Sequence, residues 1–477
     1  MHSETETGCA EGPVSGLPII HAGERKGEGM KFVIIGGDAA GMSAASRAKR
    51  NDPSMDVVVL EQTNDVSYSA CGMPYNIGDP QRPMDDLVVR RAEVFREKQN
   101  IDLRLGRRAE KIDRKAKTVS GKTSDGESFE FPYDKLLIAT GARPIVPDIP
   151  GTDLPGVMPL KSLESGRRIK DYLVARKVQH VVIVGMGYIG LEMAEAFRER
   201  SLKVEMCKRR HRLLPWMPEE MAQVVQQELE DQGVKLHFGA GASAIEGASP
   251  GLAITLDSGE RIVTDMVLLA AGVRPNSEIA ADAGLELGPN GAIAVDRSLH
   301  TSDPDIFAAG DCADAFDIMT GERVWVPLAL RANRAGWAVA DNVLGNSVEL
   351  PGIVGTAVFK VFDQQVARTG LNLEMARAAG FDPVENSIKS RSRAHGHPGN
   401  ATLYVSMVGD KKSGRLLGAQ IVGKDGAAHR IDAVVVALHA GMSVADFAQC
   451  DMAYAPPFSP VWDALLTAAN QLLRRLG

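Results

Sequence analysis

Apolar runs and glycine turns alternate over the first two thirds of the chain. The runs Phe32–Ile35 and Val57–Leu60 are wholly apolar, which is typical of strands buried on both faces of a parallel sheet. The stretch GMSAASRAKR (41–50) lies between them and predicts a helix. The order of strand, glycine turn, helix and strand predicts one α/β nucleotide-binding unit.

The same unit occurs a second time. The run Val178–Val184 precedes GMGYIG (185–190), a predicted helix over Leu191–Arg200 and the strand KVEMC (203–207). This internal repeat predicts an α/β fold with two Rossmann-like, three-layer nucleotide-binding domains. A polar, strand-like stretch (104–131) lies between the two units.

The tail has a different pattern. Two short strands, TLYVSMVG (402–409) and LLGAQIVG (416–423), are followed by predicted helices over Ile431–Ala440 and Trp462–Leu473. A mixture of this kind predicts an α+β interface domain, used for dimerisation.

These patterns predict three domains. We assign residues 30–150 and 271–348 to the first nucleotide-binding domain, 151–270 to the second and 349–477 to the dimerisation domain. Residues 1–29 show neither periodicity nor the basic and apolar regions of a secretory signal. They predict a disordered extension.

Length, charge and cysteine count narrow the class of protein. A chain of 477 residues exceeds what one hydrophobic core usually supports. The net charge of −7 argues against nucleic acid as a partner, and no apolar run reaches the roughly 18 residues of a membrane span. Five cysteines are too few for a disulfide scaffold and indicate a reducing compartment, so we expect a cytoplasmic protein.

The first glycine turn, GGDAAG (36–41), follows a strand and opens a helix. Glycines permit the tight turn, and backbone N–H groups at the helix N-terminus can receive a pyrophosphate. Asp38 departs from the usual pattern because it occupies the second glycine place. Glu61, 20 residues past Gly41, suits the ribose hydroxyls. The predicted contacts are Gly36, Gly37, Ala40, Gly41 and Glu61.

The second turn matches the dinucleotide fingerprint at Gly185, Gly187 and Gly190. The strand after it runs into Lys208 and Arg209, where NADH enzymes place an acid. Cations at this point can pair with a 2′-phosphate, so the sequence predicts a preference for NADPH over NADH.

Two dinucleotide folds imply two nucleotides, with electrons passing between them to an acceptor. Cys71 has no second cysteine at a gap of two or four residues, which excludes an internal redox disulfide of that spacing. A single thiol can still cycle through a mixed disulfide with a small thiol or through a sulfenic acid. We interpret Cys207 and Cys312 as buried apolar residues.

Five motifs together identify a resemblance: GGDAAG, LLIATGARP, GMGYIGLE, LLAAGVRPN and DIFAAGDCAD. From Met30 to the C-terminus the chain resembles the FAD-dependent pyridine nucleotide–disulfide oxidoreductase family. The resemblance implies FAD in the first domain and the nicotinamide cofactor in the second. It implies that Asp311 contacts the flavin's ribityl chain, that Tyr188 gates the flavin face and that Glu192 lies nearby. Further implied contacts are Thr140 and Gly141 for FAD and Gly272 on the nicotinamide side.

The motif around Cys71 points to one branch of this family. Peroxidase and water-forming oxidase members carry a catalytic histidine where this chain has Ala39. Cys71, Pro74 and Tyr75 instead resemble the Cys-x-x-Pro-Tyr motif of CoA-disulfide reductases and NAD(P)H sulfur oxidoreductases. A thiolate at a helix start and beside a flavin is expected to have a lowered pKa. The resemblance implies substrate contacts at Ser43, Arg47, Arg50, Ser67 and Asn333.

The segment DMAYAPPFS (451–459) resembles the one that reaches the flavin and cysteine of the other subunit. It implies a homodimer with shared active sites, in which Tyr454 donates a proton to the leaving thiolate or stabilises it. Gly396, His397 and Trp462 depart from residues common in the branch, which leaves the substrate open. His395 and His397 have no third ligand nearby, so no metal site is expected.

We therefore predict NADPH-dependent, flavin-dependent reduction of a small disulfide or persulfide through Cys71 and Tyr454. CoA disulfide, CoA persulfide and polysulfide stay open as substrates, with CoA itself as a candidate bound molecule. The alternatives are an NAD(P)H oxidase, an electron-transfer reductase for a small redox protein, and a redox-sensing flavoprotein.

Overall fold

The computed structural model describes residues 29–249 and 251–477. Apart from Gly29, the predicted extension over residues 1–29 lies outside the described residues. None of the helices within the two described ranges is long and apolar enough to cross a membrane.

The N-terminal region builds most of a parallel sheet and a small antiparallel one. One-turn 3-10 helices cover Ala70–Gly72 and Met84–Leu87. The other elements are β1 (Lys31–Ile35), α1 (Ala39–Asn51), β2 (Asp56–Leu60), α2 (Met73–Gly78), α3 (Ala92–Gln99), β3 (Asp102–Arg104), β4 (Arg107–Asp113), β5 (Thr118–Thr123), β6 (Ser128–Pro132), β7 (Lys135–Ile138) and β8 (Ala142–Pro144).

The middle region repeats this plan. Its parallel sheet has the order β12-β11-β10-β16-β9, with β13, β14 and β15 as a separate antiparallel sheet. The elements are β9 (Val157–Pro159), α4 (Leu163–Ala175), β10 (His180–Val184), α5 (Tyr188–Glu199), β11 (Lys203–Lys208), α6 (Glu219–Asp231), β12 (Val234–Phe238), β13 (Ala242–Gly247), β14 (Leu252–Leu256), β15 (Arg261–Thr264) and β16 (Met266–Leu269).

The chain then returns to the first sheet. The returning elements are β17 (Val273–Pro275), α7 (Glu278–Asp282), β18 (Ile306–Ala308), β19 (Ala315–Phe316), β20 (Arg323–Val324) and α8 (Ala329–Val343). The first sheet thus has the order β18-β7-β1-β2-β3. Strand β8, where the chain leaves the first region, pairs antiparallel with β17, where the chain returns to it. The long helix α8 packs closely on α1. The contact requires Gly336, since an added Cβ there would overlap the carbonyl oxygen of Ala40.

The C-terminal region is an antiparallel sheet with helices on one face. Its order is β21-β22-β25-β24-β23. The elements are β21 (Ala357–Val361), β22 (Gln364–Gly370), α9 (Leu373–Ala378), β23 (Pro383–Arg391), β24 (Thr402–Asp410), β25 (Leu416–Gly423), α10 (Ala427–His439), α11 (Val444–Ala448) and α12 (Ala464–Leu476). The predicted fold class, two Rossmann-like domains and an α+β domain, is confirmed; the exact domain boundaries stay predictions.

Candidate active site

The first glycine turn joins the carboxyl end of β1 to α1. Gly36 has φ +111°, a conformation that residues with a side chain rarely adopt. An added Cβ at Gly36 would also overlap the carbonyl oxygen of Ala139 at the end of β7, and one at Gly41 would overlap Gly36 itself. The turn therefore needs both glycines, and it leaves the first N–H groups of α1 free to receive an anion.

Two carboxylates lie beside this turn. Glu61, at the end of β2, accepts hydrogen bonds from the N–H of Gly37 at 2.7 Å and from the N–H and hydroxyl of Thr63, each at 2.8 Å. Asp38 stands at the N-cap of α1, where burial and the charge of Glu61 raise its pKa to about 6. The turn thus carries an acid at the place where a glycine is usual.

The second turn has the same geometry between β10 and α5. Gly185 has φ +113°, and an added Cβ there would overlap the carbonyl oxygen of Ala270 at the end of β16. A Cβ at Gly187 would meet no atom within 4 Å, so the side of the turn where a cofactor's phosphates would approach is open. Gly190 allows α5 to approach Gly185 closely.

The predicted 2′-phosphate cations lie at the end of β11, next to the second turn. The N–H of Gly185 donates to the carbonyl of Cys207, the neighbour of Lys208. Lys208 is partly buried, and burial followed by the charge of Arg210 lowers its pKa. Arg209 is exposed and pairs with Asp257 at 3.2 Å. Neither cation lines the large cavity between the two turns, which is described next.

A single large cavity joins the two turns. Its volume is about 1800 Å³, and all three regions of the chain line it, including α10 through Asp432, Val435 and His439. The predicted cofactor-contact residues that line it are Gly36, Gly37, Ala40, Glu61, Thr140, Gly141, Gly187, Tyr188, Glu192, Gly272 and Asp311. Ala39 and Cys71 line it as well.

Cys71 is the cysteine of this cavity. It lies in the one-turn helix Ala70–Gly72 and is exposed, whereas Cys207 and Cys312 are fully buried, as predicted. The groups of the polypeptide by themselves do not lower the pKa of the thiol, and the lowering expected beside a flavin stays a prediction. Desolvation by the surrounding protein raises the pKa of Cys71, and the carboxylate of Glu192 raises it further, while Lys161 acts in the opposite direction.

Tyr75 of α2 and Glu192 of α5 meet near Cys71, and Tyr188 of α5 lines the same cavity. The hydroxyl of Tyr75 donates to Oε1 of Glu192 at 3.1 Å. Burial raises the pKa of Glu192 to about 7. The ring of Tyr188 lies against Phe359 with 4.6 Å between centroids, and burial raises the pKa of its hydroxyl.

The returning strand β18 delivers a further carboxylate. Asp311 pairs with Lys161 at 3.1 Å, and its carbonyl accepts a hydrogen bond from the indole of Trp325 at 2.9 Å. Thr140, just after the carboxyl end of the neighbouring parallel strand β7, donates to the carbonyl of Asn276 at 2.5 Å. Asp311 thus contacts Lys161, which follows β9, and Thr140 contacts Asn276, which follows β17.

The predicted substrate residues of α1 are engaged with α8. Ser43 donates to Oδ1 of Asn333 at 2.7 Å. Arg47 makes two hydrogen bonds of 2.8 Å to the carboxylate of Asp341 and lies over the ring of Trp337 at 5.5 Å. The i, i+3 partner of Arg47, Arg50, is exposed. Arg47 is therefore part of a helix–helix ion pair, which the sequence pattern did not predict.

The remaining predicted substrate residue, Ser67, is close to the first turn. It has φ +47°, and its N–H donates to the carbonyl of Gly37 at 3.2 Å. The roles assigned to Ser43, Arg47, Arg50, Ser67 and Asn333 stay predictions.

Tyr454 lies on an exposed apolar segment outside the cavity of its own chain. Its side chain is 48% exposed, and Phe458, Val461 and Trp462 are more exposed still. The loop that carries Gly396 and His397 lies beside this segment, since the N–H of Ala394 donates to the carbonyl of Pro456. A surface of this kind is typical of a protein–protein contact.

Comparison with known proteins matches the two kinds of domain. The family described as "Pyridine nucleotide-disulphide oxidoreductase" matches residues 30–336, and its dimerisation domain matches residues 356–465. The NAD(P)H coenzyme A polysulfide/persulfide reductase of Pyrococcus horikoshii is 40% identical over 449 residues, which cover 94% of this chain and 99% of that protein. This chain belongs to the pyridine nucleotide–disulphide oxidoreductase family.

Two further members show the range of the family. An NADH oxidase of Methanocaldococcus jannaschii is 34% identical and is aligned over 94% of this chain and all of its own length. The crystal structure of reduced Bacillus anthracis CoADR-RHD superposes with a TM-score of 0.91 at 34% identity, over 95% of this chain and 81% of that one.

Family membership implies FAD and a nicotinamide cofactor, and the cavity fits both. Gly36 and Gly41 allow the tight turn that presents the N-terminus of α1 to a pyrophosphate, while Glu61 supplies acceptors for ribose hydroxyls. At α5, a Cβ at Gly187 would meet no atom within 4 Å, which leaves room for the second pyrophosphate. The family's dimerisation domain supports a homodimer.

Some side chains of the site were missed by reasoning from sequence. Two of them contact Asp311, which lies 150 residues from Lys161 and 14 residues from Trp325 along the chain. The third, Asp341, pairs with Arg47, 294 residues away. The ion-pairing residues carry no motif of their own. Tyr75 belonged to a motif, but nothing in the spacing indicated its contact with Glu192.

Proposed function

We propose that this protein uses NADPH to reduce a low-molecular-weight disulfide or persulfide at Cys71, with CoA disulfide, CoA persulfide or polysulfide as the substrate. The observation that carries the proposal is the exposed thiol of Cys71 in the cavity that both nucleotide turns share. The relatives named for CoA polysulfide and persulfide reduction support the same substrate class.

The chemistry at Cys71 is thiol–disulfide exchange. The sulfur of Cys71 attacks one sulfur of the substrate, forms a mixed disulfide and releases the first thiol. When bound, FAD supplies the two electrons, received as hydride from the nicotinamide, that return Cys71 to its reduced form and release the second thiol. Tyr454 from a second copy of the chain donates a proton to the departing thiolate, which makes the two active sites of the homodimer shared.

The cofactor and substrate preferences are part of the proposal. Lys208 and Arg209 favour NADPH because they lie beside the second turn, at the strand end where a 2′-phosphate would lie. Ser43, Ser67 and Asn333, with Arg47 and the exposed Arg50, hold the CoA part of the substrate. Since Arg47 is already paired with Asp341, Arg50 carries most of the charge offered to phosphate.

An NADH oxidase is the second candidate, because the relative from Methanocaldococcus jannaschii bears that name. The residue that lines the cavity in the first turn is Ala39, however. A methyl group cannot exchange protons with reduced oxygen, so disulfide chemistry at Cys71 is favoured. Consumption of NADPH in air without any disulfide would support the oxidase.

Replacing Cys71 by serine tests the proposal. In the holoenzyme, C71S should lower the NADPH-dependent reduction of CoA disulfide by at least about 1000-fold, because the nucleophile is lost. Reduction of the flavin by NADPH should persist. Cys450 is the matched control, since it lies outside the cavity and C450S should keep full activity.

Undiminished disulfide turnover in C71S would contradict the proposal and favour an electron-transfer reductase. Mass spectrometry of the native chain after mild alkylation gives an independent readout. A CoA adduct on Cys71 is the expected result and would identify CoA as the substrate's thiol.

A further inference from the structure

Arg331 is a cation buried in the wall of the cavity that joins the two turns. It is the third residue of α8, it is only 8% exposed, and it lines the cavity. An arginine side chain keeps its charge in proteins, and a buried charge is costly unless an opposite charge lies near it. The position of Arg331 therefore calls for a counter-charge.

Backbone carbonyls, and not an acid, hold the guanidinium of Arg331. Nη1 donates to the carbonyls of Gly310 at 3.1 Å and Ala313 at 3.0 Å, and Nη2 donates to that of Asp314. Within residues 29–249 and 251–477, no carboxylate forms an ion pair with Arg331. A carbonyl oxygen carries only a partial negative charge, so these bonds fix the guanidinium without neutralising it.

The two acids of the turn that Arg331 holds are paired with other cations. Asp311 pairs with Lys161 at 3.1 Å. Asp314 is fully buried and pairs with Arg323 at 2.9 Å. Two carboxylates are thus matched with three cations, which leaves one surplus positive charge.

The start of α8 adds to this surplus. Unpaired N–H groups make the N-terminus of a helix positive, so a cation in the first turn is unfavourable there. The first turn of α8 has no acidic residue, and its N-cap, Leu328, offers no side-chain cap. Burial lowers the pKa of Arg331, and the groups of its surroundings oppose this effect only in part. The protein by itself does not neutralise Arg331.

The turn that Arg331 holds belongs to the first nucleotide site. A Cβ added at Gly310 would lie 3.1 Å from the Cβ of Ala40, in the first turn of α1. Gly310 and Asp311 line the cavity, as do Ala40 and the start of α8. The surplus charge therefore acts on the cofactor at α1, which the family assigns as FAD.

We propose that Arg331 is the buried counter-cation for the negative charge of bound FAD. This charge has two sources. The pyrophosphate is always negative, and the flavin gains one negative charge when it accepts a hydride, two electrons and one proton, from NADPH, which leaves as NADP⁺. A cation that serves either source binds FAD more tightly, but only a cation that serves the flavin favours the reduced form over the oxidised form.

The test uses the FAD-loaded full chain, R331M, R331K and the matched control R198M. Methionine fills a similar space without charge, whereas lysine keeps the charge and loses the forked guanidinium. Arg198 of α5 also donates to two backbone carbonyls, those of Gln232 at 2.9 Å and Leu202 at 2.7 Å, and it does not line the cavity. The measurements are the Kd for FAD, from the fluorescence of FAD released on dilution, the reduction potential of bound FAD and the melting temperature.

R331M should raise the Kd for FAD at least about 10-fold, because bound FAD loses its counter-charge. R331K should stay close to the native value, since it keeps that charge. R198M should lower the melting temperature, because two carbonyls lose their donor, and leave the Kd and the potential unchanged. If the flavin is the source, R331M also lowers the ratio of reduced to oxidised FAD at a fixed potential about 10-fold, which is about 30 mV. A raised Kd with an unchanged potential assigns Arg331 to the pyrophosphate.

Two outcomes overturn the inference. The first is a native Kd and a native potential in R331M. The second is binding of FAD to R331K that is as weak as in R331M, because the hydrogen bonds of the guanidinium, and not its charge, would then be what FAD requires. None of these measurements uses a disulfide or Cys71, so the inference and the proposed function can fail separately.

Discussion

The two glycine turns have the same backbone geometry but carry side chains of opposite charge. In the first, the N–H of Gly36 donates to the carbonyl of Leu60 at 2.8 Å; in the second, the N–H of Gly185 donates to that of Cys207 at 2.9 Å. The two glycines have φ values of +111° and +113°. Each turn sits at the carboxyl ends of three neighbouring parallel strands, so backbone geometry alone does not distinguish one site from the other.

The side chains around the turns make the distinction. The first turn has acids at Asp38 and Glu61, whereas the second has Gly187 at its N-cap and the cations Lys208 and Arg209 beyond it. An acid at the strand end suits unmodified ribose hydroxyls, while a cation suits a 2′-phosphate. The repeat thus indicates where each dinucleotide lies, and we propose that a few side chains at the strand ends select which dinucleotide binds.

Replacing the first glycine of each turn is expected to have the largest effect. G36A and G185A both force a side chain into the positive φ region and into a backbone carbonyl, which costs more than about 3 kcal/mol of unfolding free energy. G36A should purify with almost no FAD. G185A should keep its FAD and raise the KM for NADPH at least about 10-fold. Flavin absorbance, thermal unfolding and steady-state kinetics measure these effects.

Gly247 provides the control, because an added Cβ there meets no atom within 4 Å and its φ is not positive. G247A should match the native protein in FAD content and melting temperature. If G36A kept its FAD, or if G185A lost FAD and NADPH binding together, the two turns would not serve separate cofactors and the comparison would break.

Removing the cations of the second turn should have an intermediate effect. In the double substitution K208Q/R209Q, kcat/KM for NADPH should fall about 10- to 100-fold, which is the strength of one or two charged hydrogen bonds. The value for NADH should stay the same, because NADH has no 2′-phosphate. The measurement is the ratio of kcat/KM for the two cofactors in the presence of CoA disulfide.

Arg176 is an exposed cation of the same region, and R176Q controls for a general change in charge. A native enzyme that already prefers NADH would show that Arg209 serves only its ion pair with Asp257. Equal losses for NADPH and NADH would show that the cations support the fold of the strand end and do not select the cofactor.

The fold could be predicted because its strands are continuous apolar runs. LLGAQIVG predicted β25 over Leu416–Gly423 without error, and KVEMC predicted all but the last residue of β11. Helix starts were harder: α5 begins at Tyr188, three residues before the predicted Leu191, because helical hydrogen bonding begins inside the glycine turn. Hydrophobic periodicity cannot locate the start of such a helix, because the glycine-rich turn that forms its first residues has no apolar repeat.

The candidate site was predictable only as far as its motifs extend. GGDAAG and GMGYIG located both turns, and the lone cysteine located the thiol. The ion pair of Arg47 with Asp341 joins residues 294 positions apart, so no local pattern could indicate it. The raised pKa of Cys71 has the same origin, since it depends first on burial by the folded chain and then on Glu192, which the fold brings from another helix.

Asp38 offers the smallest and most specific test of the comparison. Its folded pKa of about 6 lies above the ordinary value of 3.8, so between these pH values the folded protein binds more protons than the unfolded chain. Stability therefore falls as pH rises across this range, and above pH 6 the ionised carboxylate also repels a pyrophosphate at α1. D38N should flatten both dependences and lower the Kd for FAD by up to about 10-fold at pH 7.5. D125N, in an exposed hairpin turn, should change neither. A Kd that rises equally with pH in native protein and D38N would show that another group sets the charge of the first turn.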